Sequence, residues 1–269
     1  MMRSTKVWII PVARIGFATK GIIFVCMGLF SALAIFQGKG QATESRDIIQ
    51  TIAQQPFARI LLVVLIAGLG CHVLWRLLEA FVPPNKKGLD WKSVLSRVRS
   101  LFAGVIYGGI TAAAIKTLLG ASAGQKSDDS ARSWTASLMS TPFGPWLICL
   151  VGGGIIGYGL YKWFRIYQGS FEKKLKLTKL RAASRRWILR ICAWGIGARG
   201  LVFCLIGVFL VQAGLQSNPR EARGLGGALN SLLEKPYGLL AFAITALGLA
   251  AYGVYCWVKA RYSSFEAFE

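Results

Sequence analysis

The chain has 269 residues, of which 54% belong to the hydrophobic set AVILMFWYC and only 16% are charged. This composition excludes a disordered protein, which would be poor in apolar residues. There are 32 Lys and Arg residues against 11 Asp and Glu, a formal net charge of +21. The six cysteines fall inside apolar stretches, which excludes a secreted disulfide scaffold.

Six long apolar runs contain most of the hydrophobic residues. Each has the roughly 20 residues needed to cross a hydrocarbon core of about 30 Å, and Glu79 is the only acid within them. A buried helix of a soluble enzyme would be shorter and would have a polar face. We therefore predict an all-α integral membrane protein with six transmembrane helices. The predicted spans are residues 12–36, 57–81, 101–119, 143–167, 191–214 and 237–258.

The six spans form three copies of one helical hairpin. The sequence KGIIF at 20–24 matches AGVIY at 103–107 and RGLVF at 199–203. Each even span begins beside a proline, and the three copies match again 12, 16 and 19 residues after it. Because one hairpin cannot bury its small-residue faces alone, we expect the three to pack about a pseudo-threefold axis. The predicted hairpins are residues 11–82, 97–168 and 190–261.

A short apolar segment precedes each of these prolines. In the second copy, Trp134, Leu138 and Met139 have the spacing of one helical face. This spacing predicts a short amphipathic helix on the membrane surface, and the alternative is an extension of the following span. The corresponding residues are Ile48, Ile49 and Ile52 in the first copy, and Leu225, Leu229, Leu232 and Leu233 in the third.

Basic residues are distributed unevenly between the two ends of the predicted spans. The terminal and inter-hairpin segments hold 16 Lys and Arg residues, whereas the three hairpin tips hold 7. The positive-inside rule then places both termini in the cytoplasm and the protein in the cell inner (plasma) membrane. The net charge is explained by this topology and by contact with anionic lipid headgroups. No nucleic-acid-binding signature is present, so we expect no nucleic-acid partner.

The repeated motifs resemble those of a known family. Each hairpin has a glycine followed three residues later by an aromatic residue, a Pro-aromatic pair before its second helix, and a basic, aromatic-rich end. On these motifs the chain resembles the bacterial membrane family called domain of unknown function 1206 over nearly its full length. The resemblance implies three two-helix repeats, with no assigned activity or cofactor. The chain departs from the pattern at Ala103, which replaces a basic residue, and at His72, which replaces tyrosine.

The sequence contains no recognisable catalytic constellation. It has one histidine and no C-x-x-C motif, so a conventional catalytic triad, multi-histidine metal site or redox pair is excluded. We expect no enzyme activity, no cofactor and no metal site. Glycines at 104 and 108, and at 153 and 157, have the small-residue spacing that allows close helix packing.

Charged residues within the spans are the main functional lead, because a charge in a membrane is costly unless it is paired or reaches the interface. If these side chains face the axis, they form a basic vestibule for phosphate or carboxylate; if they face outward, they contact lipid headgroups. Glu79 is expected to pair with Arg76, three residues earlier. The candidate anion or headgroup contacts are Lys20, Arg76, Lys162 and Arg199. The candidate polar contacts within the bundle are His72, Tyr158 and Tyr252.

Two functions are consistent with the sequence. The absence of catalytic groups favours a binding, scaffold or accessory subunit of a membrane complex, which would have a membrane-protein partner. The alternative is a channel or facilitator for a small anion through the pseudo-threefold axis. Ion-coupled transporters usually keep a carboxylate near the bilayer midplane, whereas Glu79 lies near one end of its span.

Overall fold

A computed structural model describes residues 2–36, 49, 58–81, 91–119, 127–169, 182–234 and 236–262. Within these ranges the chain consists of helices and turns, with no strand. A 3-10 turn spans Pro219–Glu221. The helices are α1 (Met2–Phe36), α2 (Ala58–Phe81), α3 (Trp91–Leu118), α4 (Ser127–Met139), α5 (Gly144–Tyr167), α6 (Ala182–Leu215), α7 (Leu225–Asn230) and α8 (Gly238–Tyr262).

The six predicted spans are confirmed as α1, α2, α3, α5, α6 and α8, which are long and apolar enough to cross a membrane. The first helix of each hairpin begins about ten residues before its apolar run. For example, α6 starts at Ala182 and includes Arg185, Arg186 and Arg190 before the predicted span. Arginine and lysine are good helix formers, so the helices continue beyond the apolar run at this end. We call it the basic end, and the opposite end the tip end.

The short segments before the second and third prolines are separate helices. Turn residues at 140–143, and at 231–234 and 236–237, divide α4 from α5 and α7 from α8, so these segments are not extensions of the spans. The Asp128 carboxylate of α4 accepts hydrogen bonds from the Gly224 and Gly227 amides at 2.7 and 3.0 Å. This contact connects the second hairpin tip to the third. The first-copy segment lies outside the described residues except for Ile49, which is buried.

The six spanning helices form an open ring in the order α3, α2, α1, α8, α6, α5. The second helix of each hairpin packs against the first helix of the next one, in the pairs α2 with α3, α5 with α6, and α8 with α1. Within hairpins, α1 packs against α2 and α6 packs against α8. The repeated pairing is the expected pseudo-threefold arrangement. Among the described residues, α3 and α5 form no packed interface, although they belong to one hairpin.

Equivalent glycines mark the contacts between hairpins. The space beside Gly21 is filled by the indole of Trp257, and the space beside Gly200 by the indole of Trp163. Each indole N–H donates to a backbone carbonyl of the facing helix, at 3.0 Å from Trp257 and 2.9 Å from Trp163. In the second copy Gly104 faces an aliphatic side chain more loosely. One inter-hairpin contact is therefore repeated three times, with an indole in two of them.

The close packing predicted at the other glycines is not found within the described part of the chain. A Cβ added at Gly108, Gly153 or Gly157 would find no neighbour within 4 Å among the described residues. Two glycines four residues apart allow a second helix to approach closely, but they do not show that a second helix is present at that position.

Candidate functional site

Three aromatic pairs lie at equivalent positions around the bundle interior, one at each interface between hairpins. All three are edge-to-face contacts, with ring centroids 4.7 to 5.3 Å apart and interplanar angles of 68° to 83°. This geometry places the positive edge of one ring on the negative face of the other. The pairs are His72 with Tyr107, Tyr158 with Phe203, and Tyr252 with Phe24.

Cationic side chains from three helices converge on one of these rings. The Lys20 Nζ and the Lys162 Nζ each lie 5.8 Å from the Tyr252 centroid, and the Arg199 Cζ lies 4.4 Å from it. Lys20 also lies 4.5 Å from the Tyr107 centroid, and the Arg199 Cζ lies 4.6 Å from the Phe24 centroid. We call Lys20, Lys162 and Arg199 the cationic cluster.

A second group of charges surrounds Phe17, toward the basic end. The Lys259 Nζ is 4.1 Å and the Arg76 Cζ 5.7 Å from the Phe17 centroid. Arg76 donates to the Glu79 carboxylate at 2.6 Å, which confirms the predicted pair. Ser100 donates to the same carboxylate oxygen at 3.0 Å. Glu79 is therefore already occupied by two donors.

Among the residues that the structure describes, the cationic side chains in this interior outnumber the carboxylates beside them. Lys20 is only 3% exposed, and neither it nor Arg199 has an ion pair with any described carboxylate. One terminal nitrogen of Arg199, Nη1, is buried and has no hydrogen-bond partner among the described residues. A cation–π contact contributes about 0.5–2 kcal/mol, whereas a buried ion costs several kcal/mol. The aromatic faces therefore offset only part of the cost.

The cationic cluster lies close to the basic face of the membrane. Tyr158 and Tyr252 are each 14 residues from the start of α5 and α8, at Gly144 and Gly238. At about 1.5 Å per residue this is about 21 Å from the tip end. About 9 Å then remain to the other face of a hydrocarbon core of about 30 Å. The cluster is therefore nearer to the basic face of the hydrocarbon core than to the face at the tip end.

The structure brings the predicted basic residues inward. Lys20, Lys162 and Arg199 meet at Tyr252, and Arg76 lies beside Phe17, so they do not face lipid as isolated headgroup anchors. The predicted polar contacts Tyr158 and Tyr252 belong to the aromatic pairs.

His72 packs between two rings, at 5.2 Å from Phe17 and 4.7 Å from Tyr107. It is fully buried, and neither ring nitrogen has a hydrogen-bond partner among the described residues. The hydrogen bond expected for this residue is thus not seen in the described part of the chain. Its packing role is that of the equivalent tyrosines.

The sequence motif contains the second residue of each aromatic pair, but the pairing with His72, Tyr158 and Tyr252 was not predicted. Phe24, Tyr107 and Phe203 each follow the basic position of their repeat, or its replacement Ala103, by four residues. That spacing puts an aromatic ring and the preceding cation on one helical face. Aligning the three copies with one another reveals this pattern from the sequence alone. Lys259 was also missed, because the equivalent residue of the first copy is the acid Glu79.

This arrangement is suited to holding an anion. A guanidinium and two ammonium groups provide several donors for phosphate or carboxylate oxygens, and phosphate in particular matches the planar fork of arginine. Among the described residues, no group of three or more His, Cys, Asp or Glu side chains could hold a metal ion.

These features define a class: a helical, multi-pass membrane protein of three hairpins with a basic, aromatic-lined interior. The chain belongs to the family described as Domain of Unknown Function (DUF1206), which matches residues 15–82, 99–167 and 194–263. This match confirms the family and the three repeats. The chain is also 29% identical over 260 residues to "Uncharacterized protein YxxB" of Bacillus subtilis (strain 168), covering 97% of this chain and 93% of that protein. No solved structure matches the chain.

Proposed function

We propose that this protein binds an anion, of the phosphate or carboxylate class, inside its helical bundle. The observation that carries the proposal is the cationic cluster, where Lys20 and Arg199 are buried without a described carboxylate partner. Removing a charge from water is costly unless an opposite charge replaces the lost solvation. A bound anion would supply that charge and would use the free Nη1 donor of Arg199.

Binding fits the interior better than conduction along the axis. On the tip side of the cluster the core is apolar and closely packed: Met27, Leu69, Phe242 and Leu249 are each 0% exposed. An anion following the axis would have to cross this region without its hydration shell. The alternative of an anion channel is therefore less well supported than a site reached from the basic end or from the side.

Anion binding is measured with purified protein in a zwitterionic detergent, by titrating inorganic phosphate, sulfate and glycerol phosphate and following thermal unfolding. A ligand at a hundredfold its Kd stabilises a protein by about 2.7 kcal/mol. We expect the anion to raise the stability of the wild type by this amount and to have no such effect on Arg199→Gln. The control is Arg261→Gln, an exposed arginine at the end of α8 that lies outside the cluster. Equal anion effects in the two variants, or none in the wild type, would remove the proposal.

An accessory role in a membrane complex is supported by a different observation. Helix α5 is largely exposed, with Trp146 at 77% and Leu150 at 73%. Its glycines at 153 and 157 have open space beside them, and small residues let membrane helices approach one another. A cysteine at position 153 should then cross-link to a partner helix in native membranes. Cross-linking only to lipid would count against this role.

The proposed orientation has both termini in the cytoplasm of a cell with the protein in its inner membrane. An even number of spans puts the two termini on one side, and the excess of Lys and Arg at the basic end supports the cytoplasmic side. A thiol introduced at Ser217, an exposed turn residue at the tip end, should react with an impermeant maleimide in intact cells. A thiol at Arg185, exposed near the start of α6, should react only after the cells are opened. The reverse pattern would invert the topology.

A further inference from the structure

In the described part of the chain, the bundle is open at one of its three intra-hairpin positions. Helix α1 packs against α2, and α6 against α8, but the equivalent pair α3 and α5 forms no packed interface among the described residues. An open position in an otherwise repeated arrangement requires a local cause in the sequence of the second hairpin.

The first cause is the loss of a glycine. A Cβ at Gly16 would lie 2.6 Å from the Cα of His72, and one at Gly195 would lie 2.6 Å from the Cα of Tyr252. Only glycine allows the two helices of these hairpins to approach so closely. The equivalent position in the second hairpin is Arg99. Any residue with a Cβ there prevents the same approach of α3 to α5.

The second cause lies one turn further along the same helices. In the first hairpin Gly68 lies against Thr19, and in the third Gly248 lies against Ala198. The equivalents in the second hairpin are Gly154 and Phe102, which do not meet. Among the described residues, a Cβ at Gly154 would find nothing within 4 Å, and Phe102 is 62% exposed. A large side chain replaces a small one at the contact, and the glycine opposite it is left uncovered.

The gap between α3 and α5 adjoins the cationic cluster. Tyr107 of α3 lies 4.5 Å from the Lys20 ammonium, and on α5 the Lys162 ammonium lies 5.1 Å from the Tyr158 ring. Within the same hairpin, Ala103 replaces the lysine or arginine of the other copies, so α3 itself adds no cation at this point. The cluster lies about 9 Å inside the basic face of the hydrocarbon core, so a phospholipid phosphate on the cluster would lie deeper than the phosphates of the surrounding leaflet.

We propose that the α3–α5 gap is a lateral opening through which an anionic phospholipid binds, with its phosphate on the cationic cluster and an acyl chain between Phe102 and Gly154. The inference rests on the proposed anion site and names its ligand. Charge complementarity selects an anionic headgroup, because Lys20 and Arg199 have no described carboxylate partner. The apolar, uncovered wall of the gap selects a ligand with a hydrocarbon chain, and a free anion has none.

The test separates the opening from the anion site. Gly154→Trp fills the gap, and Gly154→Leu is a milder form of the same change. The matched control is Gly153→Trp, because Gly153 also has open space beside it but its equivalents, Ala67 and Leu247, are exposed on the outside of the other hairpins. Bound lipid is counted by native mass spectrometry after incubation with dioleoylphosphatidylglycerol or dioleoylphosphatidylcholine. Inorganic phosphate binding is measured in parallel by thermal shift.

We expect the wild type and Gly153→Trp to retain phosphatidylglycerol in preference to phosphatidylcholine. Gly154→Trp should lower phosphatidylglycerol retention about tenfold or more, since an indole in the gap excludes an acyl chain. The same variant should keep its response to inorganic phosphate, whereas Arg199→Gln loses both.

Undiminished lipid retention in Gly154→Trp and Gly154→Leu would overturn the lateral opening and leave the anion site standing. Retention of phosphatidylcholine equal to that of phosphatidylglycerol would also overturn the proposal, since the headgroup would then not be recognised. A wild type that binds neither phosphate nor phosphatidylglycerol contradicts the anion site itself.

Discussion

The buried ammonium of Lys20 should make the ligand-free protein less stable than an apolar variant. Lys20 is 3% exposed, and its contacts in the described structure are with aromatic faces, at 4.5 Å from the Tyr107 centroid and 5.8 Å from the Tyr252 centroid. These two contacts together contribute about 1–4 kcal/mol. Burial of the ammonium costs several kcal/mol, and the neighbouring Arg199 adds repulsion.

Lys20→Met keeps the length of the side chain and removes its charge. We expect the free energy of unfolding of the ligand-free protein to rise by about 1–4 kcal/mol, the range found when well-packed apolar residues replace buried ion pairs. This corresponds to a rise in Tm of about 2–4 °C per kcal/mol for a chain of this order of size. In saturating phosphate the wild type should become more stable than Lys20→Met, because the wild type gains the binding energy and the variant does not.

The assay is thermal unfolding in a zwitterionic detergent, first without phospholipid or phosphate and then with phosphate. Lys116→Met is the control, because Lys116 is exposed on α3 and outside the cluster, and its replacement should leave both values nearly unchanged. A Lys20→Met variant that is less stable than the wild type without ligand would refute the reasoning. It would mean that the aromatic contacts alone are sufficient to hold the charge.

Three further changes test the packing. Asp128→Ala leaves two amides at the start of α7 without their acceptor and should cost about 2–4 kcal/mol, measured by chemical denaturation, whereas the exposed Asp129→Ala should cost little. Trp257→Phe removes the hydrogen bond that the indole N–H donates across the α1–α8 interface and should lower the unfolding free energy by about 0.5–1.5 kcal/mol or more. An unchanged unfolding free energy would show that this hydrogen bond is not formed. Gly195→Leu places a side chain against the backbone of α8, so this variant should no longer elute as a single species in size-exclusion chromatography in detergent. Gly153→Leu should elute like the wild type. Similar elution of the two variants would contradict the close α6–α8 contact.

Much of the fold was predictable because the membrane imposes strong constraints on sequence. Span length, the repeat and the separate tip helices follow from apolar runs, spaced identities and prolines. The starts of the helices could not be predicted in this way. Arg185, Arg186 and Arg190 lie outside the apolar run of α6 but inside the helix. Charge marks where the bilayer core ends, whereas backbone hydrogen bonds decide where the helix ends.

The site was only partly predictable for a related reason. The sequence identified Lys20 and Arg199 as costly charges, but it left open whether they faced lipid or the axis, because a helical face has no fixed direction until its neighbours are known. The same limit applies at Gly153 and Gly157, where the packing motif is present but no described helix of this chain lies beside it. Comparison of Gly16 and Gly195 with Arg99 would have indicated in advance which hairpin is looser.

Joining three hairpins in one polypeptide allows them to differ. Three identical subunits related by a strict threefold axis would have equivalent intra-hairpin contacts, so their bundle would have three breaks or none. Here Arg99 replaces glycine in the second hairpin alone, and the helices of the first and third hairpins keep their contacts. The expected stoichiometry is therefore one guest molecule per polypeptide. A symmetric trimer of separate hairpins could not impose that ratio through its sequence.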